Sequence, residues 1–128
     1  MNTLPTPQLA SLLRTQAEGT YTTEAAIELL IAHSTWLSRN DFLNQLVEYA
    51  GDNDANVTHA WISWQHVPAF LERAHSSGSE ARILRLACEL WGFSSGYPLA
   101  DNLTSLDDTN AALVLNAIAH ALTLGGRR

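Results

Sequence analysis

The segment HSSGSEARILRLACEL, residues 75–90, carries the most suggestive chemistry in this 128-residue chain. A Ser-Ser-Gly turn precedes a helical pattern that contains Arg82 and Arg85. An order of Ser-x-Gly-x-x-x-Arg at a helix start raises the question of a nucleotide site. Such a site needs a partner loop, Gly-x-x-x-x-Gly-Lys-Ser/Thr, to cradle the phosphates. The chain has no Lys, its cations being seven Arg, so that loop is absent. Ser77-Gly78-Ser79-Glu80 fits a capping box instead, in which the Ser hydroxyl and the Glu carboxylate each satisfy a helix-end amide.

The other reactive residue types are scattered. His33, His59, His66, His75 and His120 include no pair at the i, i+4 spacing that places two imidazoles on one helix face. Cys88 lies among Leu86, Ala87 and Leu90 and reads as a buried, inert thiol. Asp52 and Asp54 sit in GDNDANVT, which lacks the Gly and the twelfth-position Glu of a calcium loop. Asp107-Asp108 stands where a helix cap stands. No nucleophile–base pair, metal constellation or phosphate loop is visible. Catalytic, cofactor and metal residues are therefore expected to be none, and a non-enzymatic role is favoured.

Two groups of residues point to binding. The chain has four Trp, and AWISW brings Trp61 and Trp64 close together. Trp anchors cores and interfaces alike. Trp61, Trp64, Ile62 and Val57 are the candidate contact with a partner protein. The second group lies in AAIELLIAHSTWLSRNDFLNQL, which has the outline of a helix-turn-helix. Arg39, Asn40, Asn44 and Gln45 on its second helix, residues 38–50, can read base edges. Asp41, Glu48 and a net charge of −6 weigh against nucleic acid, whose phosphates demand cations.

These residues require elements to hold them, and the periodicity predicts helices throughout. Thr6 caps a first helix that stops at Gly19. Thr22 or Thr23 caps EAAIELLIAH, which is apolar nearly all round and central. Ser38 caps RNDFLNQLVEYA, closed by Gly51, and GDNDANVT follows as a polar loop. Ser63 caps a fourth helix to about Ala74, with Pro68 near its start. Ser77 caps the fifth, closed by Gly92, and a short helix begins at Pro98. Asp107 caps the last, which Gly125-Gly126 terminates. Its expected buried face is Ala111, Val114, Leu115, Ile118 and Leu122. The fold class is all-α: a single compact bundle of about five or six helices over residues 1–128, with frayed ends at 1–5 and 125–128.

Composition sets the remaining bounds. An apolar content of 46% and a charged content of 16% describe an ordinary globular chain. One Cys excludes an internal disulfide and suits a reducing, cytoplasmic compartment. The first residues lack a basic start with a long apolar run, so no secretory leader is expected. Apolar runs such as LLIA and AALVL are far short of a membrane span. The segments ELLIAHSTWLSRNDF, SSGSEARILRLACEL and LTSLDDTNAALVLNAIAHAL resemble small uncharacterised helical proteins of high-GC Gram-positive bacteria. The resemblance covers about residues 24–124. It implies a cytoplasmic helical domain and transfers no activity. The sequence thus points to a small acidic protein-binding module, a regulator, adaptor or inhibitor of a larger partner. The helix-turn-helix is the alternative, and homo-oligomers are compatible with either.

Overall fold

The computed structural model describes residues 4–53 and 56–123. Of the frayed ends expected at 1–5 and 125–128, residues 1–3 and 125–128 lie outside the described residues, as does the Gly125-Gly126 terminator. Seven helices and one hairpin are described: α1 (Thr6–Ala17), α2 (Tyr21–His33), α3 (Asn40–Leu46), β1 (Val47–Asn53), β2 (Asn56–Ile62), α4 (Val67–Arg73), α5 (Gly78–Trp91), α6 (Leu99–Leu103) and α7 (Asp108–Ala121). Short 3-10 turns at Trp36–Ser38 and Trp64–His66 lead into α3 and α4.

The hairpin corrects the all-α expectation of five or six helices. β1 and β2 pair antiparallel, with Val47 opposite Ile62, Glu48 opposite Trp61 and Tyr49 opposite Ala60. Val47, Tyr49, Val57, Thr58, Trp61 and Ile62 are the β-branched and aromatic residues that suit a half-buried pleated surface. The expected third helix therefore ends at Leu46 and not at Ala50. Phe42, Leu43 and Leu46 keep the helical spacing. Val47 and Ala50 continue it by coincidence, because a short apolar run satisfies both periods. Gly51 is not a helix stop. It lies at an irregularity in the strand register, where any Cβ would collide with the Asn56 carbonyl and the Val57 backbone.

Two expected caps are otherwise employed. The Ser63 hydroxyl donates to Glu48 Oε2 at 2.6 Å, joining the end of β2 to β1. The Ser38 hydroxyl donates to the Ser34 carbonyl at 2.8 Å. Thr20, not Thr22 or Thr23, caps α2, accepting the Thr23 amide at 3.4 Å. The helix starts at Ser77 and Asp107 are capped as their sequences dictate. Ser77 and Glu80 form the reciprocal capping box at 3.1 and 3.0 Å, and Asp107 accepts the Asn110 amide at 2.7 Å.

The core is one apolar cluster built around α2, which packs against α1, α5 and α7, while β2 lies on α1. Ala25, Ala26, Ile27, Leu29 and Leu30 of α2 are buried, so the apolar character of this helix is used on most of its surface. A second centre is aromatic. Trp36, Phe42 and Phe70 meet with ring centroids 5.8 to 5.9 Å apart. The Trp36 indole donates to the Glu80 carbonyl at 2.9 Å, fastening the turn after α2 to the first turn of α5.

The packing of α7 departs from its expected face. Val114 and Ala117 are buried, with Leu113, Ile118 and Ala121 partly buried against the core. Leu115 and Leu122, expected inside, are 67% and 60% exposed. The helix is apolar on more than one side. Its approach to α2 turns the 113–117–121 side inward and leaves the Leu115–Leu122 side out.

Two expected outcomes follow from this packing. Trp36→Ala should cost about 3–5 kcal/mol in urea unfolding, the usual penalty for emptying a buried aromatic site. Trp36→Phe, which loses the indole hydrogen bond and leaves a smaller void, should cost less, about 2–3 kcal/mol. The second concerns acid. Burial pushes the His33 imidazole below its ordinary value of 6.5, against the opposing pull of Glu80 and Asp107. The folded state thus favours neutral His33, and the unfolded chain takes up the proton first. His33 contributes stability above pH 6.5 that is lost as pH falls below it. The thermal midpoint should fall between pH 7.5 and 5.5, and fall less in His33→Gln.

Candidate functional site

The segment GFSSGYP, residues 92–98, joins α5 to α6 and combines a buried polar anchor with an exposed apolar surface. Gly92 has φ 115°, a left-handed conformation that ends α5 and swings the chain across its last turn. Ser95 and Asn102 are buried polar residues. The Ser95 hydroxyl donates to Glu89 Oε2 at 2.6 Å. The same oxygen accepts from Asn102 Nδ2 at 3.2 Å and from the Tyr97 amide at 3.2 Å. Ser95 therefore ties α5, the loop and α6 together. The Ser94 hydroxyl accepts the Gly96 amide at 3.2 Å and tightens the same turn.

This anchor fixes what the loop presents. Phe93, Tyr97, Leu99 and Leu103 are all exposed large apolar residues. The Arg85 guanidinium lies 3.8 Å from the centre of the Tyr97 ring, a cation–π contact that orients the ring. Beside them opens a cleft of about 220 Å³ lined by Pro68, Leu71, Glu72, Arg85, Ser95 and Tyr97. An aromatic ring, an Arg and a small cleft on a pinned loop suit the seating of one anchoring side chain from a partner.

A larger groove lies between α1, α2 and α7, with a volume of about 410 Å³. His120 Nε2 and Glu24 Oε1 are 3.0 Å apart there, and Tyr21 meets the imidazole edge-on. Arg14 forks onto Glu28 at 2.8 and 3.2 Å. The nearby Thr23 hydroxyl donates to the Ala17 carbonyl at 2.8 Å and is not aimed at His120. The groove thus has a His–carboxylate pair. Cys88 is buried within α5, and burial pushes its thiol up to about 11. Among the described residues no three of His, Cys, Asp and Glu converge as metal ligands.

The structure separates the residues of the tryptophan patch. Trp64 is buried and stacked on Trp91, with ring centroids 5.3 Å apart, and Ile62 is buried beside it. The alternation of β2 turns Ile62 inward, and the following 3-10 turn folds Trp64 under α5. These two belong to the core and not to a contact surface. Trp61 and Val57 are half-buried. Val57 lines a cleft of about 350 Å³ with Leu4, Gln8, Ser11 and Leu12 of the N-terminal region.

The helix-turn-helix residues are also placed. α3 has seven residues in place of the expected thirteen from 38 to 50. Arg39 binds Asp41 at 2.6 Å and lies 4.6 Å from the Trp36 ring centre. Its hydrogen bonds, supported by the Phe42 amide, hold the Asp41 carboxyl below the ordinary range. The guanidinium is thus already neutralised by its own helix. Asn40, Asn44 and Gln45 are exposed on that short helix.

Phe93, Tyr97, Leu99 and Leu103 are not among the candidate residues of the sequence, where a short helix from Pro98 is all that is expected of this segment. The available signal was two aromatic residues flanking a Ser-Ser-Gly turn.

The anchor generates a third expected outcome. Ser95→Ala removes the hydroxyl that three groups share, and it should cost about 1–3 kcal/mol. Hydrogen exchange at the Gly96 and Tyr97 amides should rise more than exchange in α2. Comparison of the chain with protein-family models, with curated proteins and with solved structures gives no match, so the function is argued from the site alone.

Proposed function

We propose that this protein is a small, non-enzymatic, acidic protein-binding module, a regulator, adaptor or inhibitor that docks on a larger partner through the α5–α6 connection. The observation that carries the reading is the pinned loop. Buried Ser95 and Asn102, with half-buried Glu89, pin a connection that leaves Phe93, Tyr97, Leu99 and Leu103 exposed, and Tyr97 rests against Arg85. Ordering a loop before it binds removes an entropic cost from association. Tyr, Phe and Arg are the side chains enriched where binding energy concentrates. The net charge of −6 favours a partner with a basic surface and speeds its approach.

The setting we propose is cytoplasmic, in keeping with a lone thiol. No helix among the described residues is long and apolar enough to cross a membrane.

The test is a pull-down from the native host with the tagged chain, followed by affinity measurement on the recovered protein over a salt titration. Tyr97→Ala and Leu99→Ala should each weaken binding by about 2 kcal/mol, as truncation of an anchoring side chain does. The thermal midpoint should change little, since both side chains are exposed. Added salt should weaken the complex. Recovery of DNA in place of protein, or a partner indifferent to both substitutions, would overturn the reading.

A further inference from the structure

The cleft beside Tyr97 holds a cation that the protein leaves without an anion. Pro68 and Leu71 of α4 and Tyr97 line it, and Glu72 and Arg85 are its charged residues. Arg85 is half-buried, and among the described residues it makes no hydrogen bond or ion pair. Arg14 and Arg39, by contrast, are each forked onto a carboxylate. The local sequence explains the difference. Glu89, one turn further along α5, is the natural helical partner of Arg85. Its Oε2 accepts the Ser95 hydroxyl instead, at 2.6 Å. Glu72 is exposed and forms no ion pair with Arg85. The guanidinium rests on the Tyr97 ring, 3.8 Å from its centre. Stacking uses the flat face of a guanidinium and leaves its in-plane N–H groups open.

We propose that this cleft receives the carboxylate of a Glu or Asp side chain of the docking partner, with Arg85 as the fork that binds it. The inference rests on the reading of the α5–α6 connection as the docking surface and names what that surface reads. The first argument is geometry. A planar guanidinium held by a ring presents paired N–H donors, which match the two oxygens of a carboxylate. The second is size. A cleft of about 220 Å³ admits one side chain, and Pro68 and Leu71 offer apolar walls to its methylene stem. The third is charge. The lining has one cation, Arg85, and one carboxylate, Glu72. The single charge of a carboxylate is met by Arg85. The second charge of a phosphate would face Glu72 with no cation to meet it. The fourth is order. The Tyr97 amide donates to the Ser95 hydroxyl, and the Tyr97 ring holds Arg85, so the fork loses little freedom on binding. The net charge of −6 governs the approach of the whole partner, whereas this cleft governs one contact within the complex.

The test is an NMR titration of the full chain with N-acetyl-glutamic acid α-amide, from about 0.1 to 50 mM, a range that spans an expected dissociation constant on the order of 5 mM. Saturable shifts are expected at the Arg85 Nε–H and at the Gly96 and Tyr97 amides. N-acetyl-glutaminamide has the same shape without the charge and should bind at least about tenfold more weakly. Inorganic phosphate should also bind more weakly than the carboxylate. Arg85→Gln should abolish the shifts. Arg85→Lys keeps the charge and loses the fork, and should weaken binding at least about fivefold. Tyr97→Phe keeps the ring and should hold the affinity within about twofold, which separates loss of the fork from loss of the fold. No saturable shift, equal binding of the glutaminamide, or tighter binding of phosphate would overturn the inference. On the partner recovered by pull-down, Arg85→Gln should weaken binding about tenfold. A partner that needs Tyr97 but is indifferent to Arg85→Gln would overturn the carboxylate contact and leave the docking surface standing.

Discussion

The burial of Trp36 is the constraint on which the rest of the molecule depends. Its ring occupies the junction of α2, α3, α4 and α5, against Phe42 and Phe70. A ring this large in a 128-residue protein organises its surroundings, because core packing tolerates no void of comparable size. Its indole N–H must also be satisfied, and the Glu80 carbonyl meets it at 2.9 Å. One side chain thus sets both the distance and the rotation of α5 relative to α2. Glu80 also closes the Ser77 capping box, so the start of α5 is determined twice, by its own turn and by Trp36. The loop after α5 inherits this position, and with it the surface carrying Tyr97.

Legibility in the sequence followed the locality of the interaction. Ser77 and Glu80 are three residues apart and cap each other, so their helix start could be read directly. Asp107 with Asn110 is the same case. The hairpin depends on pairing between Val47 and Ile62, Glu48 and Trp61, and the closure by Ser63 on Glu48. None of these partners is adjacent in the chain. The run LVEYA satisfies a helical period and a strand period alike, and only the second strand settles which applies. Ser63 shows the same ambiguity at one residue. A Ser before a helix reads as a cap, yet here its hydroxyl is engaged by a carboxylate of the neighbouring strand.

The candidate site was legible in its parts and not in its assembly. Ser95 and Asn102 are unremarkable in sequence, being common turn and helix-end types. Their importance arises because Glu89 lies one turn before the end of α5 and faces the returning chain. Arg85 lies in the segment that raised the question of a nucleotide site, and its guanidinium rests on Tyr97. The tryptophans misled in the opposite direction. Trp64 is prominent in sequence and is consumed by stacking on Trp91 inside the core. Rare residue types mark where large apolar area must go. They do not distinguish a protein's interior from its interfaces, since both require such area.

The last helix makes this ambiguity explicit. A helix apolar nearly all round is expected to be surrounded. In α7 the Val114–Ala117 side meets α2 and α5, whereas Leu115 and Leu122 face out. Of the expected face Ala111, Val114, Leu115, Ile118 and Leu122, only Val114 is buried and Ile118 partly so; Ala111, Leu115 and Leu122 are exposed. Beyond its polar first turn, Asn116 and His120 are the polar residues of this helix, and His120 turns toward Glu24. The composition of α7 is thus that of a helix with neighbours on two sides. Both neighbours lie within the chain, α2 and α5, and Leu115 and Leu122 stay exposed.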